Sequence, residues 1–416
     1  MRSHRVLYIG LLITALVIVG AGGLYWFVLK SPKLVVAPSP ANAEVSVDGS
    51  TIHASKVEVA PGEHTVKVTS PDYVDYVKKV TLKRGQQLVL PVLLKPIPSP
   101  VVLSSDIATL PSFADGSNVY FLGNSGRTIY RTRHNSGQAT VSIEPMTPDT
   151  LSDIQDIVWR SDAEAALLKR SDGIYFYDFQ RRDLVNQSMT LWGKDIDQLA
   201  WSPSGIQVAY TYYGSNGEQT LIFADVQNKN IRRVANLAKE GIDHPSLQWS
   251  PDGQQLLLLA RSPQKKTNYL YSLDIFTQKV TQLTEVGEVE GARWSPDGKH
   301  IAYVTVGKDS SGATANIVWV ANADGSGVKP LNVPAESISK VGWVSNDALV
   351  VAVNNPGKDD QFTAVPLEGD SSAYQYRQPG AAFHPDHLLT IAGESRVLFF
   401  SNNQFLSLSL ISSTYD

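Results

Sequence analysis

At 416 residues, with 43% hydrophobic and 18% charged residues, the chain is long enough for two or three domains with cores of their own. The formal net charge of −4 includes the cations Arg2, Arg5 and Lys30, so the remainder is more acidic still. This excludes nucleic acid as a partner, because phosphate contacts need clustered Lys and Arg, and the basic pairs Lys78-Lys79 and Lys265-Lys266 read as solvated surface. No cysteine is present, which removes disulfides, thiol catalysis, Cys-ligated zinc, iron–sulfur clusters and a lipid-modified cysteine anchor.

Residues 1–5, MRSHR, precede an uncharged apolar run from Val6 to Leu29. About 20 apolar residues in a helix span a bilayer core. Residues 6–29 are therefore expected to cross the lipid bilayer, with Tyr25 and Trp26 at the headgroup level. Ala41-Asn42-Ala43 has the small residues of a signal-peptidase site but lies in a strand pattern well beyond the run. The segment reads as an uncleaved signal anchor. The amino terminus, Arg2 and Arg5 against Lys30 and Lys33 favour an N-terminus inside. The expectation is a single-pass protein of the cytoplasmic membrane, with a cytoplasmic tail at 1–5 and extracytoplasmic domains after the anchor.

Residues 33–95 alternate apolar and polar positions in short segments. Val45 and Val47 share one face, as do Val66 and Val68, and Leu88, Leu90, Val92 and Leu94. Asp48-Gly49, Pro61-Gly62 and Arg84-Gly85 interrupt as turns. A small β-sandwich follows. Pro40-Ala41-Asn42-Ala43, then Val45-Ser46-Val47-Asp48-Gly49, Pro61-Gly62-Glu63-His64 and Asp72-Tyr73 resemble, in that order, the motifs of the PEGA domain, with Asn42 in place of its Gly. The resemblance implies a surface-exposed envelope module without a catalytic set, and His64 reads as a strand-edge residue. The prolines at 96, 98 and 100 make a semi-rigid linker over 96–100.

From 101 to 416 one phrase recurs. Trp201-Ser202-Pro203-Ser204-Gly205, Trp249-Ser250-Pro251-Asp252-Gly253 and Trp294-Ser295-Pro296-Asp297-Gly298 each stand between apolar stretches. Ser-Pro-Asp-Gly suits a type I turn, so each copy predicts a hairpin, with Ile301 and Tyr303, Leu256 and Leu258, and Ile206 and Val208 inward on the second strand. Degenerate copies place unit starts at 112, 159, 201, 249, 294, 343 and 391. A second pair of strands recurs downstream, with Asp178, Asp225 and Asp274 before polar turns. Four strands per unit of roughly 45 residues is the signature of a propeller blade. Seven blades are counted, or six if the copy at Ser112 or Ile391 is spurious. Val101 to Ser104 offers a fourth strand to the last blade. The repeated Trp-Ser-Pro-Asp-Gly resembles the WD40-like repeats of the TolB family, which implies a propeller and names no ligand.

The fold class is thus all-β: an N-terminal transmembrane helix, a PEGA-like sandwich and a seven-bladed propeller. Gly-x-Ser-x-Gly is absent, as is the sialidase-type Ser-x-Asp-x-Gly-x-Thr-Trp turn, and no cofactor is called for. His384-Pro385-Asp386-His387 reads as an exposed connection, Asn322 to Gly327 as a hairpin turn without alternating calcium ligands, and Asp359-Asp360 as solvated. The function expected is non-enzymatic: an anchored scaffold whose propeller engages an envelope protein or cell-wall polymer. The alternative is an envelope polysaccharide hydrolase or lyase with its site in the propeller channel.

Overall fold

The computed structural model describes residues 31–105, 113–115, 118–133, 142–148, 151–180, 189–215, 217–262, 264, 266–285, 288–355, 360–377, 384–391, 395–402 and 404–410, with 113–115, 133 and 142 as backbone. The expected tail and anchor over 1–29 lie outside these residues, as do Ser112, Asp359 and part of the last motif copy at 392–394. Among the described residues no helix is long and apolar enough to cross a membrane. The chain divides into two compact units between Pro98 and Ser99.

The first unit is a sandwich of a three-stranded and a four-stranded sheet. Lys33–Ser39 runs parallel to Gln87–Leu93 in one, and Glu44–Val47 lies between Ser50–Ile52 and Gly62–Thr69 in the other. The alternation sends Val45, Val47, Val66, Val68, Val92 and Leu94 into one core, with Leu88 and Leu90 partly buried against it. Asp48 at φ 50° and Gly49 at φ 81° make the tight turn between two of these strands, a conformation that Asp-Gly tolerates. His64 is not at an exposed edge. It is 8% exposed, with Nδ1 2.6 Å from Asp48 Oδ2 and Nε2 2.6 Å from the Ala60 carbonyl. Pro96 pairs with Tyr73, and Ile97 N donates to Asp72 O at 2.8 Å, so the first two linker residues are tied to the sandwich.

The second unit holds, among the described residues, seven four-stranded antiparallel sheets. Their strands lie within 113–145 (blade 1), 156–193 (blade 2), 196–236 (blade 3), 243–282 (blade 4), 291–334 (blade 5) and 341–373 (blade 6), with 386–409 plus Val101–Ser104 as blade 7. Seven apolar clusters fill the gaps between consecutive sheets. The seventh joins Leu398 and Phe405 of blade 7 to Val119 and Phe121 of blade 1 and closes the ring. The first strands of blades 2 and 3, 3 and 4, 6 and 7, and 7 and 1 touch, so the first strands are innermost in the ring. Val101–Ser104 pairs antiparallel with Gln404–Ser409, so the start of the ring supplies the outer strand of its last blade.

The repeated phrase sits between the first and second strands of blades 3, 4 and 5. Gly253 N donates to Ser250 O at 2.9 Å, Ser250 Oγ donates to Asp252 Oδ1 at 2.6 Å, and Gln255 N donates to Ser250 Oγ at 2.9 Å. The Ser295–Gly298 turn repeats these bonds. In blade 3, Ser204 Oγ takes the place of the carboxylate, 3.1 Å from Ser202 Oγ. Gly205, Gly253 and Gly298 adopt φ of 72°, 71° and 71°, so the glycine is required by backbone conformation. Pro203, Pro251 and Pro296 precede the residue whose side chain closes each turn. One register expectation fails. Ile206 is 70% exposed and occupies the turn position of Gln254 and Lys299, while Val208 is the inward equivalent of Leu256 and Ile301.

Candidate functional site

Because strands alternate in direction, the motif turns all emerge on one face of the ring. The opposite face carries the connections between second and third strands and those between blades. None of the fourteen motif residues reaches that second face. Trp201, Trp249 and Trp294 are buried in the gaps between blades, and Ser202, Ser250 and Ser295 are buried beneath their turns. They hold the scaffold.

The loop face presents a cleft of about 600 Å³ across blades 2 and 3. Lys169, Arg170 and Lys194 line it together with Asp172, Asp195 and Asp197, so cations and carboxylates alternate around one concavity. Lys169 lies one residue from the end of the second strand of blade 2 and donates through Nζ to the backbone carbonyl of Asp197 at 2.6 Å. At the axial end of the cleft, Tyr213 and His244 stack with ring centroids 4.7 Å apart. The Tyr213 hydroxyl lies 2.7 Å from His244 Nδ1, which is also 3.1 Å from Asp197 Oδ2. Gln219 donates to Asp243 Oδ1 at 3.0 Å and also bonds Tyr213. Burial, reinforced by the carboxylates of Asp197 and Asp243, pushes the Tyr213 phenol well above its ordinary value and keeps it a neutral hydrogen-bonding group.

A second polar cluster occupies the same face between blades 6 and 7. Asp360, expected to be solvated, is 0% exposed. Its carboxylate lies 3.3 Å from Lys340 Nζ and 3.1 Å from His384 Nδ1. Lys340 also reaches Glu336 at 2.8 Å. The four residues His384 to His387 do not converge: His384 faces Asp360, whereas His387 Nδ1 lies 3.3 Å from Asp386 Oδ2. Asn322 to Gly327 forms a hairpin turn, with Gly325 N donating to Asn322 O at 2.9 Å. Among the described residues no group of His and carboxylates is arranged to hold a metal ion.

Among the described residues, one cation reaches across the axis. Arg293, from the innermost strand of blade 5, reaches past blade 6 and donates through Nη1 to the carbonyl of Leu388 in blade 7 at 2.9 Å.

The motifs of the first unit now meet in space: the Asp48-Gly49 turn receives His64 from the Pro61-Gly62 segment. Residues 31–97 match the PEGA domain family. This unit is a PEGA domain. No curated protein matches the chain in sequence. Beside the PEGA domain, the chain is similar in fold to solved propeller proteins. A putative TolB from Agrobacterium tumefaciens is 18% identical, covering 56% of this chain and 83% of that one at a TM-score of 0.39. TolB from Acinetobacter baumannii is 14% identical, covering 71% and 78% at 0.36. Oligogalacturonate lyase from Vibrio parahaemolyticus is 14% identical, covering 65% and 77% at 0.48.

Proposed function

We propose that this protein is an anchored extracytoplasmic binding protein, tethered to the lipid bilayer of the cytoplasmic membrane by residues 6–29. Its propeller engages an envelope protein or a cell-wall polymer, and the PEGA domain serves as spacer or second contact. Neither nucleic acid nor a cofactor belongs to this reading. The observation that carries it is the open loop-face cleft. Three cations and three carboxylates alternate around it, so the lining offers many hydrogen bonds and little net charge. Such a surface suits a hydroxyl-rich polymer or a polar protein surface better than a polyanion.

The test is retention of the full chain, in detergent, on purified sacculi and on solubilised membrane proteins. Retention on sacculi that falls on Lys169→Ala or Tyr213→Ala supports a wall-polymer ligand. Enrichment of one protein, with the same sensitivity, makes the chain a scaffold. With neither, the binding reading fails.

One observation favours the second reading, an enzyme acting on an envelope polysaccharide. Asp197, Asp243, His244 and Tyr213 bring carboxylates, an imidazole and a phenol within hydrogen-bonding reach at the axial end of the cleft. General acid–base chemistry needs such groups in mutual contact. Release of soluble fragments from sacculi by the wild-type chain, abolished by His244→Ala, would establish it.

A further inference from the structure

Arg293 is placed unlike any other cation described in the propeller. It precedes the motif tryptophan on the innermost strand of blade 5, and its counterparts in blades 3, 4 and 6 are Ala200, Gln248 and Gly342. Gly342, on the blade between Arg293 and Leu388, carries no side chain to block the arm. Its Nη1 is engaged by Leu388 O, and no carboxylate among the described residues pairs with it. Part of its surface stays open, although protein surrounds it closely enough for burial to push its pKa down to about 10. An arginine remains charged at neutral pH even so.

The electrostatics are one-sided. Burying a guanidinium without a counter-charge is unfavourable, and one backbone carbonyl satisfies one of its five donors. Lys340, a buried cation of the loop face, has Glu336 and Asp360 beside it. Evolution of a structural staple would be served by that kind of neutralised pair. A guanidinium kept without one is poised for an acceptor that arrives from outside, and its planar fork fits the two oxygens of a carboxylate.

We propose that Arg293 makes the axis of the propeller a receptor for a carboxylate carried by the ligand. The assignment rests on the binding reading above and deepens it: the polar ligand of that reading bears an acidic group that Arg293 receives at the axis.

The experiment is thermal unfolding of the full chain in detergent with acetate, glucuronate or glucose, each against sodium chloride of matched ionic strength. Ligand that binds only the folded state raises its stability with concentration. Acetate and glucuronate are expected to raise the unfolding temperature of the wild type in a concentration-dependent way, and glucose is not. Arg293→Lys should keep part of the increment and Arg293→Met none. The increment, not the basal unfolding temperature, is the readout, so a structural contribution of Arg293 does not imitate the result. Should Arg293→Met fail to fold, titration of the wild-type arginine Nε resonances with acetate, assigned by comparison with Arg293→Lys, gives the answer instead. Absence of any increment over chloride, or an increment unchanged in Arg293→Met, overturns the assignment. Loss of sacculus retention with the acetate increment intact would remove the polymer reading and leave the carboxylate receptor standing. Retention without the increment would do the reverse.

Discussion

The indole nitrogen of Trp249 donates to the carbonyl of Ala200 at 3.0 Å, from blade 4 to blade 3. Trp294 makes the same bond to Gln248 O, and Trp343 to Arg293 O, each at 3.4 Å. In every case the acceptor is the residue just before the preceding motif tryptophan. The repeat is thus more than a turn signal: each copy carries the donor for the blade before it. Trp201 is the exception and bonds its own Gly205 carbonyl at 3.0 Å. Replacing Trp249 by Phe keeps most of the apolar volume and removes one hydrogen bond to the buried Ala200 carbonyl, at a cost of about 0.5–1.5 kcal/mol. Trp249→Ala adds the cavity and is expected to cost about 3–5 kcal/mol. Chemical denaturation should rank wild type, Trp249→Phe and Trp249→Ala in that order, and a Trp249→Phe variant as stable as wild type would remove the stitching account.

The motif glycines permit a second separation of effects. A Cβ on Gly298 would sit 3.3 Å from Pro251 Cδ, whereas one on Gly312 would meet nothing within 4 Å, although Gly312 also has positive φ at 83°. Gly312→Ala therefore reads backbone strain alone, about 1–2 kcal/mol. Gly298→Ala should lose more, because neighbouring turns touch proline to glycine. Equal losses in the two variants would mean that the turn-to-turn contact contributes nothing.

These contacts also explain what could be read from sequence and what could not. Turn chemistry is local, so Ser-Pro-Asp-Gly announces its hairpin, and three copies in register announce stacking. The closing strand at Val101–Ser104 was legible because an apolar run preceded the first unit and the last unit was one strand short. The loop face was not, since its groups come from connections that do not repeat. Asp197 and His244 are 47 residues apart and meet because blades 3 and 4 are adjacent. Asp360 looked solvated beside a Gly-rich stretch, and only the packing of Lys340 and His384 buries it. For Arg293 a signal was present: a charge stands just before the motif tryptophan, where blade 3 has Ala200 and blade 6 has Gly342. Ile206 shows the opposite error, in which an apolar residue at a turn position was read into the strand.

In the PEGA domain, both nitrogens of His64 face oxygen atoms, Asp48 Oδ2 and Ala60 O, so the imidazolium, which has two N–H donors, is the form that satisfies both. Its pKa is raised above 6.5 chiefly by the bond to Asp48, and that of Asp48 is lowered below 3.8 chiefly by His64. The histidine contribution is full below the unfolded value and is lost as pH rises through the raised folded value. The carboxylate contribution is present above its unfolded value and is lost as pH falls through the lowered one. The pair is therefore strongest in mildly acidic solution. Hydrogen exchange of Gly62–Thr69 in the full chain is expected to be slower than in His64→Gln at mildly acidic pH, with the difference shrinking above neutrality. A difference independent of pH would show that His64 acts by shape alone.

The Asp360 cluster predicts an asymmetric pair of mutants. Lys340 has two carboxylates, one of them the half-exposed Glu336, while Asp360 is enclosed with Lys340 and His384. Removing one partner of a buried ion pair costs roughly 3–5 kcal/mol, because the other charge is stranded away from water. Asp360→Asn leaves Lys340 paired with Glu336 and should fall short of that range. Lys340→Met leaves the Asp360 carboxylate with His384 alone and should lie within it. The double variant strands neither charge, so its loss should be smaller than the sum of the two single losses. Denaturation midpoints of the four proteins form the cycle. Strict additivity would mean that Lys340 and Asp360 act independently, and the blade 6–blade 7 seam would then owe its stability to Leu388, Val397 and Phe399, not to the ion cluster.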